Sequence, residues 1–187
     1  MKKRIALLLI LISSITIAWA QSTTFGVNAG LYNVTATAKL EAQDAPRSSE
    51  SDAGFYLGIL ADISLSDKVH VQPAVNYANT SGDGWVQLPI MFKYYAAPKF
   101  YLQAGPQGTF SLEDGGGIVN TFGLDLGFGL GFDIDKHFFI EARYALELTD
   151  RTPDAIAASS FGFDPSLGSF DIRTKLNTLQ FGLGYRF

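Results

Sequence analysis

The sequence predicts an all-β fold, an eight-stranded antiparallel up-and-down transmembrane β-barrel, on three observations. Eight segments of about ten residues alternate between apolar and polar side chains, which matches the ~9–11 residues of a tilted membrane strand. The breaks between them are alternately short and long, as in hairpins that turn on opposite sides of a membrane. The composition, with 19 glycines, 15 phenylalanines and 8 tyrosines, is typical of sheet.

The N-terminus precedes the strands and is predicted to be a signal peptide at 1–20, followed by one barrel domain at 21–187. Residues 2–4 are basic, 5–12 are apolar, and Ala18-Trp19-Ala20 offers small residues to a signal peptidase. We expect cleavage before Gln21. An uncleaved anchor is the alternative, but its apolar run is shorter than the ~20 residues of a spanning helix. The sequence contains no cysteine, which excludes a disulfide framework and a lipid-modified start.

The strands are predicted from period-2 alternation. In order, they run over residues 24–35, 53–65, 69–79, 85–95, 100–112, 121–134, 138–149 and 174–187. The sixth is the clearest, because Leu, Phe and Ile occupy one face while Gly and Asp occupy the other. The fourth and eighth repeat this pattern.

The two faces of these strands indicate a membrane barrel. A soluble barrel such as a lipocalin is the alternative, and it would need a charged outer face for solvation. Here the polar face is mostly Gly, Gln, Asn and Tyr, which suits a filled lumen, while the Leu, Phe, Ile and Val face suits lipid. We therefore expect outer-membrane lipids around the barrel.

The breaks give the barrel a predicted orientation and a charge distribution. The short breaks at 66–68, 96–99 and 135–137 each carry a lysine and belong on the periplasmic side. The long breaks at 36–52 and 150–173 belong outside. Without residues 1–20 the chain has eleven basic and eighteen acidic residues, a charge of −7 that argues against nucleic acid as a partner. Together with two shorter outer breaks that contain Asp83, Glu113 and Asp114, the long breaks hold eleven of these acids and four bases, which indicates either a solvated surface or a site for an extracellular ligand.

Eight charged side chains have inward parity and predict a charge network in the lumen. They are Asp62, Lys93, Asp125, Asp133, Glu141, Arg143, Glu147 and Arg186. Isolated charges there would cost several kcal/mol each, so we expect pairing, with Arg143 as the hub between Glu141 and Glu147. A network of this kind would fill the lumen. The alternative is a narrow channel for protons, ions or small solutes.

Catalysis is not expected, and no catalytic, cofactor-binding or metal-binding residues are predicted. The two histidines, His70 and His137, lie at the predicted periplasmic end, away from the outer leaflet. The sequence shows no metal-ligand spacing and no phosphate-binding loop. A lipid-modifying enzyme is the least favoured alternative.

An ordered series of short motifs resembles a known family. Phe25-Gly26-Val27-Asn28-Ala29-Gly30-Leu31 near the start, Leu88-Pro89-Ile90-Met91-Phe92-Lys93-Tyr94-Tyr95 in the fourth strand and the closing Gly184-Tyr185-Arg186-Phe187 resemble the PorT-like "porin family" barrels of Bacteroidetes. The resemblance implies an eight-stranded outer-membrane barrel and an assembly signal at Tyr185 and Phe187, read by the barrel-assembly machinery. It implies no shared activity, and we expect a monomer.

Overall fold

The computed structural model describes residues 22–40, 48–112, 121–149 and 172–187, and within them it shows a closed β-barrel. Each strand pairs antiparallel with the next, and β1 closes the barrel against β8. The strands are β1 Thr23–Leu40, β2 Ser48–Ser64, β3 Val69–Thr80, β4 Asp83–Tyr95, β5 Phe100–Ser111, β6 Phe122–Asp133, β7 Phe138–Glu147 and β8 Ile172–Arg186. The predicted fold class is confirmed. The predicted signal peptide at 1–20 lies outside the described residues.

In the part of the chain that the structure describes, no helix is long and apolar enough to span a membrane.

Alternation along the strands separates the two surfaces of the wall, as β6 shows. Its even-numbered residues from Phe122 to Phe132 are exposed on the outside, whereas Gly123, Asp125 and Gly127 on the other face are buried. Successive side chains of a strand point to opposite faces, so the outer apolar band and the inner polar surface come from one sequence pattern.

Three tight turns, the start of β1 and the end of β8 all lie at one end of the barrel. We call this the short-turn end. At the β2–β3 turn, the Ser66 hydroxyl oxygen accepts a hydrogen bond from the Val69 N–H at 3.1 Å. At the β6–β7 turn, Asp135 Oδ1 accepts from the N–H groups of His137 and Phe138, both at 2.7 Å. These two donors hold the pKa of Asp135 below its ordinary range, the Phe138 N–H being the larger cause.

The opposite end, the long-loop end, differs from the prediction because several strands continue beyond the apolar band. The break expected at 36–52 is partly strand: β1 and β2 stay paired as far as Ala38 and Ser48, and β1 pairs with β8 as far as Leu40 and Ile172. The outward positions here carry Asn, Thr and Ser. Hydrophobic alternation therefore does not mark the extension, although backbone pairing continues.

The turn between β3 and β4 is the short exception at the long-loop end. Thr80 pairs with Asp83, so the turn consists of Ser81 and Gly82. Gly82 has φ +129°, a backbone conformation that favours glycine.

Large side chains fill the lumen. The aromatic ones with almost no exposed surface are Tyr32, Tyr56, Tyr101 and Phe139. Two of these rings lie against glycines on neighbouring strands: a Cβ added to Gly131 or Gly184 would collide with the ring of Tyr101 or Phe139. The inward glycines thus provide the space that the rings occupy.

Candidate functional site

The charged part of the lumen is centred on Lys93, whose side chain extends from β4. Its Nζ lies 3.0 Å from Oε1 of Glu141 on β7 and 3.5 Å from Oδ2 of Asp62 on β2. All three side chains are at least 95 % buried. Because β4 and β7 are separated by two strands, the Lys93–Glu141 pair spans the interior and links opposite walls.

Two rings surround this lysine. The Tyr101 hydroxyl donates to Glu141 Oε1 at 2.7 Å, and Lys93 Nζ lies 4.4 Å from the centroid of the Tyr101 ring. The ring of Phe139 lies 5.3 Å from the same Nζ. Cation–π contacts of this kind supply attraction in a place with little water.

A second cation, Arg186, extends the network toward the short-turn end. Its Nε lies 3.2 Å from Asp62 Oδ2, and its Nη1 donates to Asp133 Oδ1 at 2.9 Å. The Tyr95 hydroxyl donates to the other Asp133 oxygen at 3.0 Å. Arg186 therefore connects the last strand to β2 and β6.

His70 joins the network where it meets solvent. Its Nδ1 lies 2.6 Å from Asp62 Oδ1, and one fifth of its side chain is exposed. A cavity of about 320 Å³ opens here at the short-turn end, lined in part by Asp62, His70, Tyr95, Asp133 and Arg186. The network predicted from the sequence does not include His70, although this residue lies at the start of β3. The signal was its even position, which matches the inward positions of β3.

The geometry does not give this site an activated nucleophile. Ser64 lies opposite His70 in the β2–β3 register, but its hydroxyl donates to the Ser66 carbonyl oxygen at 3.2 Å. The other histidine, His137, contacts the Arg186 carbonyl oxygen through Nδ1 at 2.8 Å. Across the described ranges, no group of three or more His, Cys, Asp or Glu residues could hold a metal ion.

The sequence matches the family model for the outer membrane protein beta-barrel domain over residues 5–187. The chain belongs to this family. Its location is therefore the outer membrane. No curated protein matches the sequence.

Solved structures of outer-membrane proteins are similar to this barrel, and one of them, with a TM-score above 0.5, shows the same fold. Neisserial surface protein A is 16 % identical, covers 89 % of this chain and 100 % of its own, with a TM-score of 0.51. OprG from Pseudomonas aeruginosa is 14 % identical over 89 % of this chain and 97 % of its own, with a TM-score of 0.46. The attachment invasion locus protein Ail of Yersinia pestis, in complex with a heparin analogue, is 14 % identical over 88 % of this chain and 99 % of its own, with a TM-score of 0.46.

The barrel places all eight sequence-predicted charges on the inward side of the wall, but divides them into two groups. Six of them lie toward the short-turn end: Asp62, Lys93, Asp133, Glu141, Arg143 and Arg186. Asp125 and Glu147 form the second group, directly opposite each other on β6 and β7. Asp125 Oδ2 accepts hydrogen bonds from Thr109 at 2.5 Å and Gln107 at 3.0 Å, and Glu147 Oε2 accepts from the Leu176 N–H at 2.5 Å.

The expectation that Arg143 is the hub is wrong. Its nearest carboxylate oxygen, Glu141 Oε2, lies 4.0 Å from Nε, and it makes no ion pair with Glu147 among the described residues. The reason is spacing: Glu147 is four residues away, about 13 Å along a strand. Lys93 reaches Glu141 from across the lumen instead, a contact that parity on a single strand cannot reveal.

Toward the long-loop end the barrel interior becomes amide-rich and then apolar. Gln180 donates to Gln87 at 2.5 Å, and Gln87 donates to the Tyr32 hydroxyl at 3.4 Å. Beyond these hydrogen bonds, toward the long-loop end, Tyr32 packs with Val34, Tyr56, Ala78 and Trp85. The charged network and this apolar cluster occupy opposite ends of the lumen.

The sequence-predicted assembly residues lie on the outside of the barrel at the short-turn end. The Tyr185 ring stacks on His137 at 5.5 Å and meets Phe138 edge-on at 5.0 Å. Phe187 is 71 % exposed, and its N–H donates to the Phe25 carbonyl oxygen at 2.9 Å. These aromatic side chains sit where rings of membrane proteins favour the lipid–water interface.

Proposed function

We propose that this outer-membrane barrel is a non-enzymatic protein with a side-chain-filled lumen, and that it works by binding or adhesion at its long-loop end. The observation that carries the proposal is the filling of the lumen. Tyr32, Tyr56, Tyr101, Lys93 and Phe139 are all at most 2 % exposed. They come from β1, β2, β5, β4 and β7, so the filling involves walls on every side.

The charged network supports a closed lumen as well. Lys93, Glu141 and Asp62 hold opposite walls together, and moving one of them would leave a buried charge without its partner. Eight strands leave an interior that side chains can fill.

The long-loop end offers a surface that the lumen does not. Strands β1, β2 and β8 continue beyond the outer apolar band. Outward side chains of β1 and β2 form polar contacts with each other in this extension. Thr35 and Ser51 hydroxyl oxygens lie 3.2 Å apart, and Ser51 donates to Asn33 Oδ1 at 3.1 Å. Acidic residues of the outer breaks add negative charge, which favours a cationic ligand.

A narrow channel is the second candidate, and a specific observation favours it. Buried side-chain atoms of Asn28, Asn76, Gln103 and Arg143 have no hydrogen-bond partner among the described residues. Such atoms ordinarily bind water, and a file of water along them would conduct protons or small ions.

Planar lipid bilayers distinguish these two candidates. We expect the refolded barrel to insert without producing discrete conductance steps at neutral pH. Heat-modifiable gel migration of the same sample serves as the control for folding. Reproducible single-channel steps from the folded sample would refute the filled lumen and establish the channel.

The non-enzymatic assignment is tested on lipids. We propose that the barrel leaves phospholipids and lipopolysaccharide unchanged. The Ser64 hydroxyl, the one opposite His70, donates its hydrogen bond to a backbone carbonyl oxygen and not to the histidine. Mass spectrometry of lipids incubated with the parent and with the His70→Ala/His137→Ala variant provides the measurement. A lipid product made by the parent and lost in the variant would show an enzyme.

We also propose that residues 1–20 are removed during export and that the barrel belongs among the PorT-like proteins of Bacteroidetes. The three-part layout of the N-terminus and the ordered motifs support these statements. In this proposal the mature protein is a monomer inserted by the barrel-assembly machinery and surrounded by outer-membrane lipids. Mass spectrometry of the protein purified from membranes should give an N-terminus at Gln21, whereas a retained Met1 would contradict cleavage.

A further inference from the structure

One stretch of β2 at the long-loop end is paired along one edge only, as far as the described residues show. Ser48 to Ala53 pair with β1, while the pairing of β2 with β3 ends at Gly54 and Thr80. No other described strand pairs with residues 48–53. The polypeptide turns back after β3 at Ser81, so among the described residues no strand lies beside β2 above this turn.

We propose that the open edge of β2 at Ser48–Asp52 binds an extended basic segment of another protein, which adds as a further strand. The inference rests on the proposed binding role of the long-loop end and names its surface and partner. Unpaired strand edges present backbone donors and acceptors, and strand addition is a common mode of peptide recognition.

The edge suits strand addition in its side chains. Residues 48–52 are Ser-Ser-Glu-Ser-Asp, without proline or lysine and without bulky groups that would cover the backbone. Five residues of strand extend about 16 Å, which is enough for several inter-strand hydrogen bonds. The β8 extension is different, because Glu147 accepts from the Leu176 N–H and its own N–H bonds to Asn177.

Charge selects the partner. Glu50 and Asp52 share one face of β2, and Asp83 begins β4 directly after the β3–β4 turn. Asp52 Oδ1 accepts from the Ser81 hydroxyl at 2.9 Å, which brings the β2 edge and the β3–β4 turn together. A segment with Lys or Arg at alternate positions would place its cations on this acidic face.

The same charges disfavour a second copy of this chain. Antiparallel pairing of two identical edges would bring Glu50 and Asp52 of one molecule toward the same acids of the other. Like charges opposite each other on paired strands are destabilising. The open edge therefore points to a different, basic chain.

Hydrogen–deuterium exchange on the full barrel in lipid nanodiscs tests the proposal. The probe is an eight-residue peptide of alternating Lys and Thr with blocked ends. We expect it to slow exchange at residues 48–52 and to leave the short-turn end unchanged. Two control peptides separate the causes: one replaces the central Thr residues with Pro and keeps the charge, and one replaces Lys with Glu.

A matched pair of protein variants tests the charge. Glu50→Gln should weaken binding of the Lys–Thr peptide about two- to fivefold, whereas Asp67→Asn, which removes an exposed charge at the opposite end, should leave it unchanged. Equal protection by the Pro peptide would show electrostatic adhesion without strand addition and would overturn the proposal. Protection at 48–52 without peptide, rising with the number of barrels per disc, would show self-pairing and would also overturn it.

A different measurement tests the proposed function on which this inference rests. Single-channel steps in planar bilayers would contradict the filled lumen whether or not the peptide binds. If the barrel produces no conductance steps and the peptide gives no protection from exchange, strand addition at the β2 edge is refuted, whereas the filled lumen is not.

Discussion

Lys93 shows how one residue connects the walls of this barrel. It is 1 % exposed, and its ammonium group lies between Glu141 and Asp62 on strands that are not its neighbours. A buried ion pair adds little net stability relative to apolar packing, but removal of one partner leaves the others without a counter-charge. The filled lumen is therefore most sensitive to substitution of single charged residues such as Lys93.

Replacing Lys93 should cost far more than replacing Arg143. We expect Lys93→Met to lower the free energy of unfolding by about 3–5 kcal/mol, because the buried Glu141 carboxylate loses its closest cation and Asp62 loses one of its cationic partners. Arg143→Met should cost less, since Arg143 Nε is 4.0 Å from its nearest carboxylate oxygen. Urea unfolding of the barrel in lipid vesicles provides the measurement.

Two further variants control this comparison. Lys136→Met, in an exposed turn, should change the free energy of unfolding by no more than about 0.5 kcal/mol. Glu141→Gln added to Lys93→Met should restore part of the loss. Equal losses for Lys93→Met and Lys136→Met would mean that water reaches the network.

At the scale of elements, the turns illustrate how a few side-chain and backbone groups specify hairpins. The β6–β7 turn is held by Asp135, whose carboxylate accepts two backbone N–H groups. The β3–β4 turn depends on Gly82 and its positive φ. The β6–β7 turn is stabilised electrostatically and the β3–β4 turn by backbone conformation. The two turns therefore respond differently to pH and to substitution.

The Asp135 turn should weaken in acid. Because the pKa of Asp135 is lowered in the folded state, the carboxylate stabilises the fold above its unfolded pKa, ~3.9, and this contribution is lost as pH falls through the lowered value. Asp135→Asn should therefore lower the urea midpoint at pH 7, and the difference from the parent should shrink below about pH 4. Asp67→Asn, at the β2–β3 turn, is the control for loss of one charge. A constant difference at every pH would contradict this account.

The Gly82 turn should tolerate alanine poorly for backbone reasons alone. An added Cβ would meet nothing within 4 Å, so any loss comes from the conformation. We expect Gly82→Ala to cost about 1–3 kcal/mol in urea unfolding. Gly108→Ala is the matched control, since its Cβ would meet Phe122 at an ordinary 3.4 Å and its φ is not positive. A smaller loss at Gly82 than at Gly108 would refute the strain.

For the whole molecule, closure determines both stability and assembly. β1 and β8 pair along fifteen positions from Gly26 with Arg186 to Leu40 with Ile172, so the wall is continuous. Closed barrels without free edges in the membrane resist detergent until heated. Different gel migration before and after boiling therefore measures the folded fraction.

The end of β8 provides a test of assembly. We expect Phe187→Ala to reduce the heat-modifiable fraction recovered from membranes more than Phe138→Ala does, if the terminal aromatic residue is read during insertion. Phe138 is the matched control because it also lies in the outer aromatic cluster around Tyr185. Equal recovery of the two variants would contradict a role of Phe187 in assembly.

The sequence by itself determined the class of this protein. Period-2 alternation gave the strands to within a few residues at most ends, because lipid on one face and a narrow lumen on the other leave each position with one acceptable polarity. The same parity indicated which charges point inward, including Asp62, Lys93 and Arg186.

Only the tertiary structure decided which of these charges meet. Lys93 and Glu141 are 48 positions apart in the sequence and lie on strands with two others between them in the wall, so their contact depends on closure and register rather than on any local pattern. The extension of β1, β2 and β8 also required the structure, because its pairing is carried by backbone hydrogen bonds without hydrophobic alternation. Polarity is a local property of a strand, whereas contact across a lumen is a property of the closed sheet.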